Sequence, residues 1–392
     1  MKVLIVGAGI AGPALAYWLL RSGHEPTLVE QAPELRRGGY LIDFWGAAFD
    51  VAERMGIAEE LRRRGYRFAE ARAVGVDGRR IGSFETSAFL RSGDRYVSIA
   101  RSDLAAVIFD ALEGGAELVL DDTVHSLEEH GARVRVSFER GDERVFDLVV
   151  GADGLHSQVR RLAFGPEEWF EKYLGIVVAV FDVEGYRPRD ELVAVMHAEL
   201  GFQVVRVALR DDVTMFALTV RHEGNMPLEG VAEQQQLLRR RLAGVRWETP
   251  AILEAMHRAR TFYFDRVSQI QMPSWQRGRV ALVGDAAACP SLLAGQGSAL
   301  AMVEAYVLAA ELARANGDYA AAFARYERRL APLLRSKQDA AQGLGLAFAP
   351  RNRWQLLVRD TVIKFMGVPL VANLAMSRSL RDAVELPVFP AV

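Results

Sequence analysis

A glycine-rich segment near the start of the chain has the composition of a nucleotide-binding turn. Gly7-Ala8-Gly9-Ile10-Ala11-Gly12 follows a short apolar run and precedes a helical pattern. Glycines at this spacing permit a tight turn and let the backbone approach a pyrophosphate, whose charge faces the N-terminus of the helix. Glu30 ends the next apolar run, where its carboxylate can accept hydrogen bonds from ribose hydroxyls. The pattern predicts a cofactor with an ADP half and does not distinguish NAD from FAD.

Two later segments also combine glycine with an acidic residue at a predicted strand end. Gly284-Asp285 ends an apolar run, and Gly295-Gln296-Gly297 follows at the start of a helical pattern. The carboxylate is suited to the hydroxyls of a polyol such as a ribityl chain, and the helix start offers free N–H groups to a phosphate or a flavin carbonyl. Asp153-Gly154 closes another strand and is followed by Arg160. Any one pair alone is more typical of an ordinary turn, but all three in this order favour a complete dinucleotide site.

Other catalytic and metal-binding patterns are absent from the sequence. Cys289 is the single cysteine, which excludes an intrachain disulfide and a cysteine-based zinc site. His125 and His130 have no cysteine partner and are more typical of surface histidines than of metal ligands. No serine-nucleophile or Walker A motif occurs. We therefore predict neither a metal site nor a catalytic side chain.

The composition is that of a globular protein without a dominant nucleic-acid role. The 392-residue chain is 51% hydrophobic, and its 48 basic and 50 acidic residues give a net charge of −2. Nucleic-acid binding normally requires a basic excess. The apolar stretches at residues 3–20 and 292–313 contain glycine and proline or acidic and amide residues, so neither predicts a membrane span. The single cysteine fits the reducing cytoplasm, where we expect the protein.

The periodicity of apolar residues predicts the elements that position these segments. Residues 2–6, 10–21 and 26–30 have the pattern of a strand, a helix and a strand. Residues 133–138 and 144–150 have that of a β-hairpin. Antiparallel strands are predicted at residues 175–183, 192–197, 202–209 and 213–220, a short buried strand at 279–283, and helices at 229–253, 297–316, 319–339, 354–365 and 371–383.

With these motifs in this order, the chain resembles the group A flavoprotein aromatic hydroxylases, which have the para-hydroxybenzoate hydroxylase fold. It is most similar to their branch of tetracycline-inactivating and polyketide-tailoring FAD monooxygenases, and the resemblance runs nearly end to end. The family's DG motif falls on Asp153-Gly154 with Arg160, its GD motif falls on Gly284-Asp285, and its flavin-contacting arginine falls on Arg101. The resemblance implies FAD contacts from Gly7, Gly9, Ile10, Ala11, Gly12, Glu30, Gln31, Arg37, Gly38, Gly39, Arg101, Leu104, Val124, Asp153, Gly154, Arg160, Gly284, Asp285, Gly295, Gln296, Gly297 and Ser298.

Two positions depart from the family's pattern beside the GD motif. Ala288 stands where the family usually has a histidine, and Leu292 stands where it often has a proline. Both lie near the position expected for the reactive edge of the flavin, so they affect the expected details of that pocket more than the binding of FAD.

The resemblance also implies a fold and domain boundaries. The fold class is α/β, with a Rossmann-like FAD-binding domain interleaved with an antiparallel β-sheet substrate domain, followed by C-terminal helices. The expected boundaries are residues 1–70, 100–168 and 272–340 for the FAD-binding domain, 71–99 and 169–271 for the substrate domain, and 341–392 for the helical tail.

The implied reaction is insertion of one oxygen atom from O2 into an aromatic or polycyclic, polyketide- or tetracycline-like substrate. Hydride would come from transiently bound NADPH or NADH, and oxygen would react through a C4a-hydroperoxyflavin, by hydroxylation or by Baeyer–Villiger insertion. An FAD-dependent reductase or dehydrogenase and a non-catalytic protein that sequesters flavin and ligand are the open alternatives. We expect a monomer or a homodimer. Candidate residues for contact with the substrate, each also suited to core packing, are Phe181, Met196, Phe202, Met215 and Phe216.

Overall fold

A computed structural model describes residues 1–35, 40–85, 95–224, 230–366 and 384–390 of the chain. Its strands are β1 (Lys2–Val6), β2 (Glu25–Glu30), β3 (Leu41–Trp45), β4 (Glu70–Val74), β5 (Arg80–Glu85), β6 (Tyr96–Ala100), β7 (Glu117–Leu120), β8 (Val124–His130), β9 (Arg133–Phe138), β10 (Arg144–Phe146), β11 (Leu148–Gly151), β12 (Glu171–Glu184), β13 (Val193–Glu199), β14 (Phe202–Ala208), β15 (Val213–Arg221), β16 (Thr261–Ile270), β17 (Gln276–Arg277) and β18 (Val280–Leu282). Its helices are α1 (Ala11–Arg21), α2 (Ala47–Met55), α3 (Ala58–Arg64), α4 (Arg101–Asp110), α5 (Gln158–Ala163), α6 (Val231–Arg241), α7 (Thr249–Ala255), α8 (Asp285–Ala288), α9 (Gly297–Arg314), α10 (Tyr319–Phe348) and α11 (Arg353–Phe365).

A six-stranded sheet in the order β17-β18-β11-β1-β2-β7 forms the Rossmann-like part. Its strands pair in parallel, except that β17 is antiparallel to β18. Val3, Leu4 and Ile5 of β1 are completely buried, as expected for a parallel strand covered on both faces. The buried residues of α1 and α9 belong to the same hydrophobic cluster as this strand. The predicted fold class is confirmed.

A seven-stranded sheet in the order β16-β12-β15-β14-β13-β4-β5 forms the second layer. Neighbouring strands are antiparallel except β13 and β4. One face of this sheet packs against α6 and α7 through Phe181, Val204 and Phe216. The other face carries Val178, Val180 and other apolar residues, which pack with Leu293 of the segment after α8. We call this second face the inner face.

Several predicted elements differ from the structure. The helix predicted at residues 229–253 is divided into α6 and α7, because Gly244 and Trp247 adopt positive φ angles of 80° and 58°. The predicted hairpin arm at residues 144–150 is also divided: β10 pairs with β9, whereas β11 joins the parallel sheet. Strand β16 was not predicted, and α10 extends beyond residue 339 to Phe348.

The remaining predictions concern the surface and the C-terminal region. His125 and His130 are both exposed on β8, as expected. Helix α11 matches the helix predicted at residues 354–365, and the helix predicted at 371–383 lies outside the described residues. In the segment at 384–390, Phe389 packs against Trp18 and Tyr306. No helix within the described ranges is both long and apolar enough to cross a membrane. The domain boundaries stated above remain a prediction.

Candidate functional site

The glycine turn between β1 and α1 has no room for side chains. Gly7 has a φ of 105°, and a Cβ atom there would lie 2.5 Å from the carbonyl oxygen of Ala152. A Cβ atom on Gly12 would lie 1.9 Å from the carbonyl oxygen of Gly7, so α1 packs directly on the turn. At Gly9 the corresponding distance is 3.1 Å, to Nη2 of Arg101. The turn therefore keeps its backbone free of side-chain bulk and places a guanidinium group beside it.

Glu30 lies beside this turn because β2 pairs with β1 in parallel. Its Oε2 accepts a hydrogen bond from the backbone N–H of Ala8 at 2.9 Å, and its Oε1 accepts one from Ala32 at 3.0 Å. The two bonds fix the carboxylate at the end of β2, where the sequence predicts a ribose contact. Gln31 follows in the loop after the strand.

The three glycine-acid motifs meet at the carboxyl-terminal edge of the parallel sheet. Strand β11 lies between β1 and β18, and each of the three strands leads into one motif at its carboxyl end. In open α/β sheets this edge is the usual place for ligand binding. The motifs are far apart in the sequence, and the parallel register brings them together.

Asp285 follows Gly284, whose φ is 65°, and begins the short helix α8. A Cβ atom on Gly297 would lie 3.3 Å from Oδ1 of Asp285, so the carboxylate faces the N-terminus of α9. Burial raises the pKa of Asp285, whereas a hydrogen bond with the Cys289 thiol and the positive charge of Arg101 act to lower it. This end of α9 also contains Gly295, Gln296 and Ser298, whose implied contacts with FAD thus lie together with that of Asp285.

The segment of the DG motif is held by its own hydrogen bonds. Asp153 accepts hydrogen bonds from Ser157 Oγ at 2.5 Å and from the N–H of Val159 at 3.0 Å, which stabilises the start of α5. Burial raises the pKa of the Asp153 carboxyl. Gly154 adopts a φ of 81°, which is readily accessible to glycine.

Arg160 is completely buried and connects the DG and GD motifs. Its Nη1 donates to the carbonyl oxygen of Ala286 at 3.1 Å, and its Nη2 donates to the Leu155 carbonyl at 2.6 Å and to Glu167 Oε2 at 2.7 Å. Because these groups belong to the protein, we propose that Arg160 positions the two motifs rather than contacting FAD with its side chain.

Other residues implied in FAD binding have different surroundings. Leu104 and Val124 are completely buried in the core of the Rossmann-like part, so a contact with FAD would use their backbone atoms. Ile10 and Ala11 are buried at the start of α1. Arg37, Gly38 and Gly39 lie outside the described residues.

A polar cluster that the sequence did not indicate lies beside the motifs. His156 Nδ1 is 2.8 Å from Glu167 Oε1, and its Nε2 is 3.4 Å from Asp265 Oδ1. Hydrogen bonds to Asp265 and Glu167 raise the pKa of His156 to about 10. Tyr263 donates to Asp265 Oδ2 at 2.9 Å, and its ring centroid is 5.4 Å from that of Tyr40. The aromatic run at Phe262-Tyr263-Phe264 is typical of a strand and could have indicated β16.

The inner face of the antiparallel sheet extends from this cluster as a row of apolar side chains. Cross-strand pairs join Tyr263 to Val180, Val180 to Ala217, Ala217 to Val205, and Val205 to Met196. Met215 pairs with Val207 and lies on the same face.

Three of the five residues considered for contact with the substrate lie on the opposite face. Phe181, Phe202 and Phe216 pack in the cluster with α6 and α7, so their role is core packing, the alternative stated for each of them. Since side chains alternate along a strand, this division follows from the pleat of the sheet. Leu292 packs against the inner-face cluster, and Ala288 and Cys289 are buried.

Residues 1–332 match the family model described as FAD binding domain. The chain belongs to this family of FAD-dependent monooxygenases. It is 39% identical to an uncharacterized protein of Mycobacterium tuberculosis over 92% of this chain and 94% of that protein. It is 34% identical to a flavin-dependent monooxygenase of Legionella longbeachae, over 99% and 98% of the two chains.

Solved structures agree with this assignment. The structure of the tetracycline destructase Tet(51) superimposes with a TM-score of 0.83 and 32% identity, covering 99% of both chains. The structure of HpxO from Klebsiella pneumoniae in complex with FAD and uric acid has a TM-score of 0.82 and 23% identity, covering 97% of both chains, and supports the fold.

The described residues fit FAD, the cofactor of the family. A Cβ atom at Gly7 or Gly12 would collide with backbone carbonyl atoms, so the turn keeps the close backbone approach that a pyrophosphate requires. Arg101 supplies a positive charge beside this turn, and the carboxylates of Glu30 and Asp285 lie at separate positions along the same sheet edge. These groups match the charge and hydroxyl groups of a dinucleotide that contains a ribityl chain.

Proposed function

We propose that the protein is an NAD(P)H-consuming monooxygenase that inserts one oxygen atom from O2 into an aromatic or polycyclic, polyketide- or tetracycline-like substrate. The apolar inner face beside the FAD motifs is the main observation in support. It supplies apolar side chains of the kind that line a site for a fused-ring substrate, and Tyr263 and Asp265 add polar groups at one end of it. The similarity to Tet(51) over 99% of both chains supports the same substrate class.

The residues of the FAD site have separate proposed roles. The glycine turn and Arg101 would bind the pyrophosphate, Glu30 the ribose, Asp285 the ribityl chain, and the N-terminus of α9 a flavin carbonyl. Bound FAD would supply redox chemistry, accepting hydride from NAD(P)H and activating O2. Since the sequence has one dinucleotide fingerprint, we propose that NADPH or NADH binds transiently without a Rossmann domain of its own.

Tyr263 is suited to orienting a substrate hydroxyl. Burial and the negative charge of Asp265 raise the pKa of Tyr263 above its usual range, so its hydroxyl stays protonated at neutral pH. Because that hydrogen is donated to Asp265, the phenolic oxygen can still accept a hydrogen bond from a hydroxyl of the substrate. The apolar residues of the inner face would meanwhile exclude water from the reacting atoms.

A substrate screen tests this function. Purified holoenzyme is mixed with NADPH or NADH and a panel of phenols, aromatic polyketides and tetracyclines, and nicotinamide oxidation is followed with mass spectrometry of the products. We expect at least one compound to accelerate oxidation and to gain one oxygen atom, which carries label when 18O2 is used. Substrate reduction without oxygen gain would instead assign a reductase. Tight ligand binding without stimulated oxidation throughout the panel would assign a sequestering protein.

A further inference from the structure

A buried carboxyl group on α9 forms a hydrogen bond with the backbone of the GD motif. Glu304 is 2% exposed, and its Oε2 accepts a hydrogen bond from the N–H of Gly284 at 2.8 Å. Tyr326 of α10 is completely buried, and its hydroxyl oxygen lies 3.1 Å from Glu304 Oε2 and 3.1 Å from the carbonyl oxygen of Leu282. One carboxyl and one phenol thus bind two backbone groups of the segment that leads from β18 to Asp285.

This segment has little freedom to move. Gly284 has a φ of 65°, and a Cβ atom there would lie 3.3 Å from Cβ of Ala11 and 3.4 Å from Cβ of Ala301. The residue is therefore enclosed between α1 and α9. Helix α9 contacts the segment at two levels, since Gly297 lies near the Asp285 carboxylate and Glu304 lies about two turns further along the helix.

We propose that Glu304 is a positioning residue for FAD, which holds the N–H of Gly284 and thereby directs Asp285 toward the ribityl chain. This role rests on the proposed contact between Asp285 and FAD. It would connect the cofactor site to the packing of α9 against α10 through the hydrogen bond with Tyr326. Burying a carboxyl group at this depth costs stability, and the contacts with Gly284 and Tyr326 offset that cost.

The hydrogen-bond geometry favours a neutral Glu304. Burial raises the pKa of Glu304 to about 8, and its hydrogen bonds with Gly284 and Tyr326 only partly oppose this. A protonated Glu304 can donate to the Tyr326 hydroxyl, which then donates its own hydrogen to Leu282, so both bonds form together. An ionised Glu304 would instead compete with Leu282 for that hydrogen. Asp285 and Tyr326 are the titratable neighbours that act on Glu304, and Glu327 acts on Tyr326.

The experiment compares FAD affinity with apoprotein stability in a set of variants. Glu304→Gln keeps an oxygen acceptor for the N–H of Gly284 and cannot ionise, whereas Glu304→Ala removes the acceptor. Glu311→Ala is the matched control, because Glu311 is 1% exposed on the same helix but pairs with Arg325 at 2.7 Å, away from the GD motif. FAD titration of each apoprotein gives the affinity, and thermal melting of the same samples gives the stability.

We expect Glu304→Ala to weaken FAD binding about tenfold and Glu304→Gln to stay within about threefold of the wild type. Glu311→Ala should lower the melting temperature while FAD affinity changes less than about threefold. Wild-type FAD affinity in Glu304→Ala, with a lowered melting temperature, would assign Glu304 a structural role and overturn this inference. If Glu304→Ala does not fold, Glu304→Asp takes its place. The aspartate side chain is one methylene shorter, so its acceptor lies further from the N–H of Gly284. This variant must still weaken FAD binding more than Glu304→Gln does.

A parallel titration of Asp285→Ala separates this inference from the function it rests on. If Asp285→Ala loses affinity and Glu304→Ala does not, the contact with Asp285 holds and the positioning role fails. If both variants bind FAD like the wild type, the proposed placement of FAD at Asp285 fails.

Discussion

Glu30, Asp285 and Glu304, three acidic side chains at the proposed FAD site, differ in their partners and therefore in their expected roles. Glu30 accepts two backbone N–H bonds, and Asp285 faces the N-terminus of α9 with Arg101 nearby. Glu304 is buried behind them against Tyr326. The first two carboxylates can still accept hydrogen bonds from hydroxyl groups of a ligand, whereas the third binds protein groups. Substitution of each residue should consequently affect ligand affinity and stability in different proportions.

Substitution of Asp285 tests the proposed ribityl contact. Asp285→Ala removes both acceptor oxygens, and we expect FAD affinity to fall about ten- to hundredfold, since a hydrogen bond to a charged group contributes about 1.5–3 kcal/mol. Asp285→Asn retains one acceptor and should weaken binding less. FAD titration and apoprotein melting are measured for both variants. A lower melting temperature with unchanged FAD affinity would show that Asp285 is a structural aspartate.

The titration of Glu304 predicts a pH dependence of apoprotein stability. The pKa of Glu304 is raised by burial from 4.5 to about 8, so the folded chain binds this proton more tightly than the unfolded chain does. The resulting stabilisation is fully present below about pH 4.5 and is lost as the pH rises through about 8. Glu304→Gln cannot titrate, so its melting temperature should fall less than that of the wild type between pH 6 and 9. Parallel pH curves for the two proteins would contradict the prediction.

At the scale of secondary structure, the close contact between α1 and the glycine turn sets the shape of the site. Gly12→Ala would force α1 away from β1, since the new Cβ atom would lie 1.9 Å from the Gly7 carbonyl oxygen. We expect a loss of about 3 kcal/mol, the upper end for overpacking, together with loss of bound flavin. Gly23→Ala is the control: its φ is 73° but no atom lies within 4 Å, so it should cost about 1 kcal/mol. Equal melting temperatures and flavin contents for the two variants would contradict this account.

The elements around the glycine turn could be predicted because their signals are local. Residues 3–6 form a continuous apolar run, and the turn that follows requires glycine for steric reasons that hold within a few residues. Strand β16 was missed although its residues favour β-structure. The cluster of His156, Asp265 and Tyr263 could not be predicted, since it depends on how β16 docks beside the DG motif. The proposed role of Glu304 could not be predicted for the same reason, because a glutamate in a helical pattern gives no indication of the backbone N–H that it will bind.

At the scale of the whole molecule, His156 connects the two large sheets. It follows the DG motif at the end of the parallel sheet, and Asp265 belongs to β16 of the antiparallel sheet. Because the hydrogen bonds to Asp265 and Glu167 raise the pKa of His156 to about 10, the imidazolium form persists at neutral pH. The stabilisation is fully present below about pH 6.5 and is lost as the pH rises through about 10.

Replacement of His156 should therefore have a pH-dependent effect. We expect His156→Gln to lower the melting temperature at pH 6.5 and to match the wild type more closely above pH 10. The effect at pH 6.5 should be modest, since the His156 side chain is 56% exposed and solvent screens the pair. Thermal melting at both pH values provides the measurement, with exposed His125→Gln as the control. A difference from the wild type that is equal at both pH values would contradict the assignment of charge.

The buried guanidinium of Arg160 has a consequence for recombination between related enzymes. Its contact across the site is with the main-chain oxygen of Ala286, and its other partners, Leu155 and Glu167, belong to its own segment. Residues 171–270, which contain β12 to β16, lie between these two points in the sequence. A chimera that exchanges this block leaves every one of those hydrogen-bonding groups in place, and an acid retained at the position of Asp265 would also preserve the contact with His156. The chimera would then take its substrate preference from the donor enzyme and retain the flavin site of the recipient enzyme.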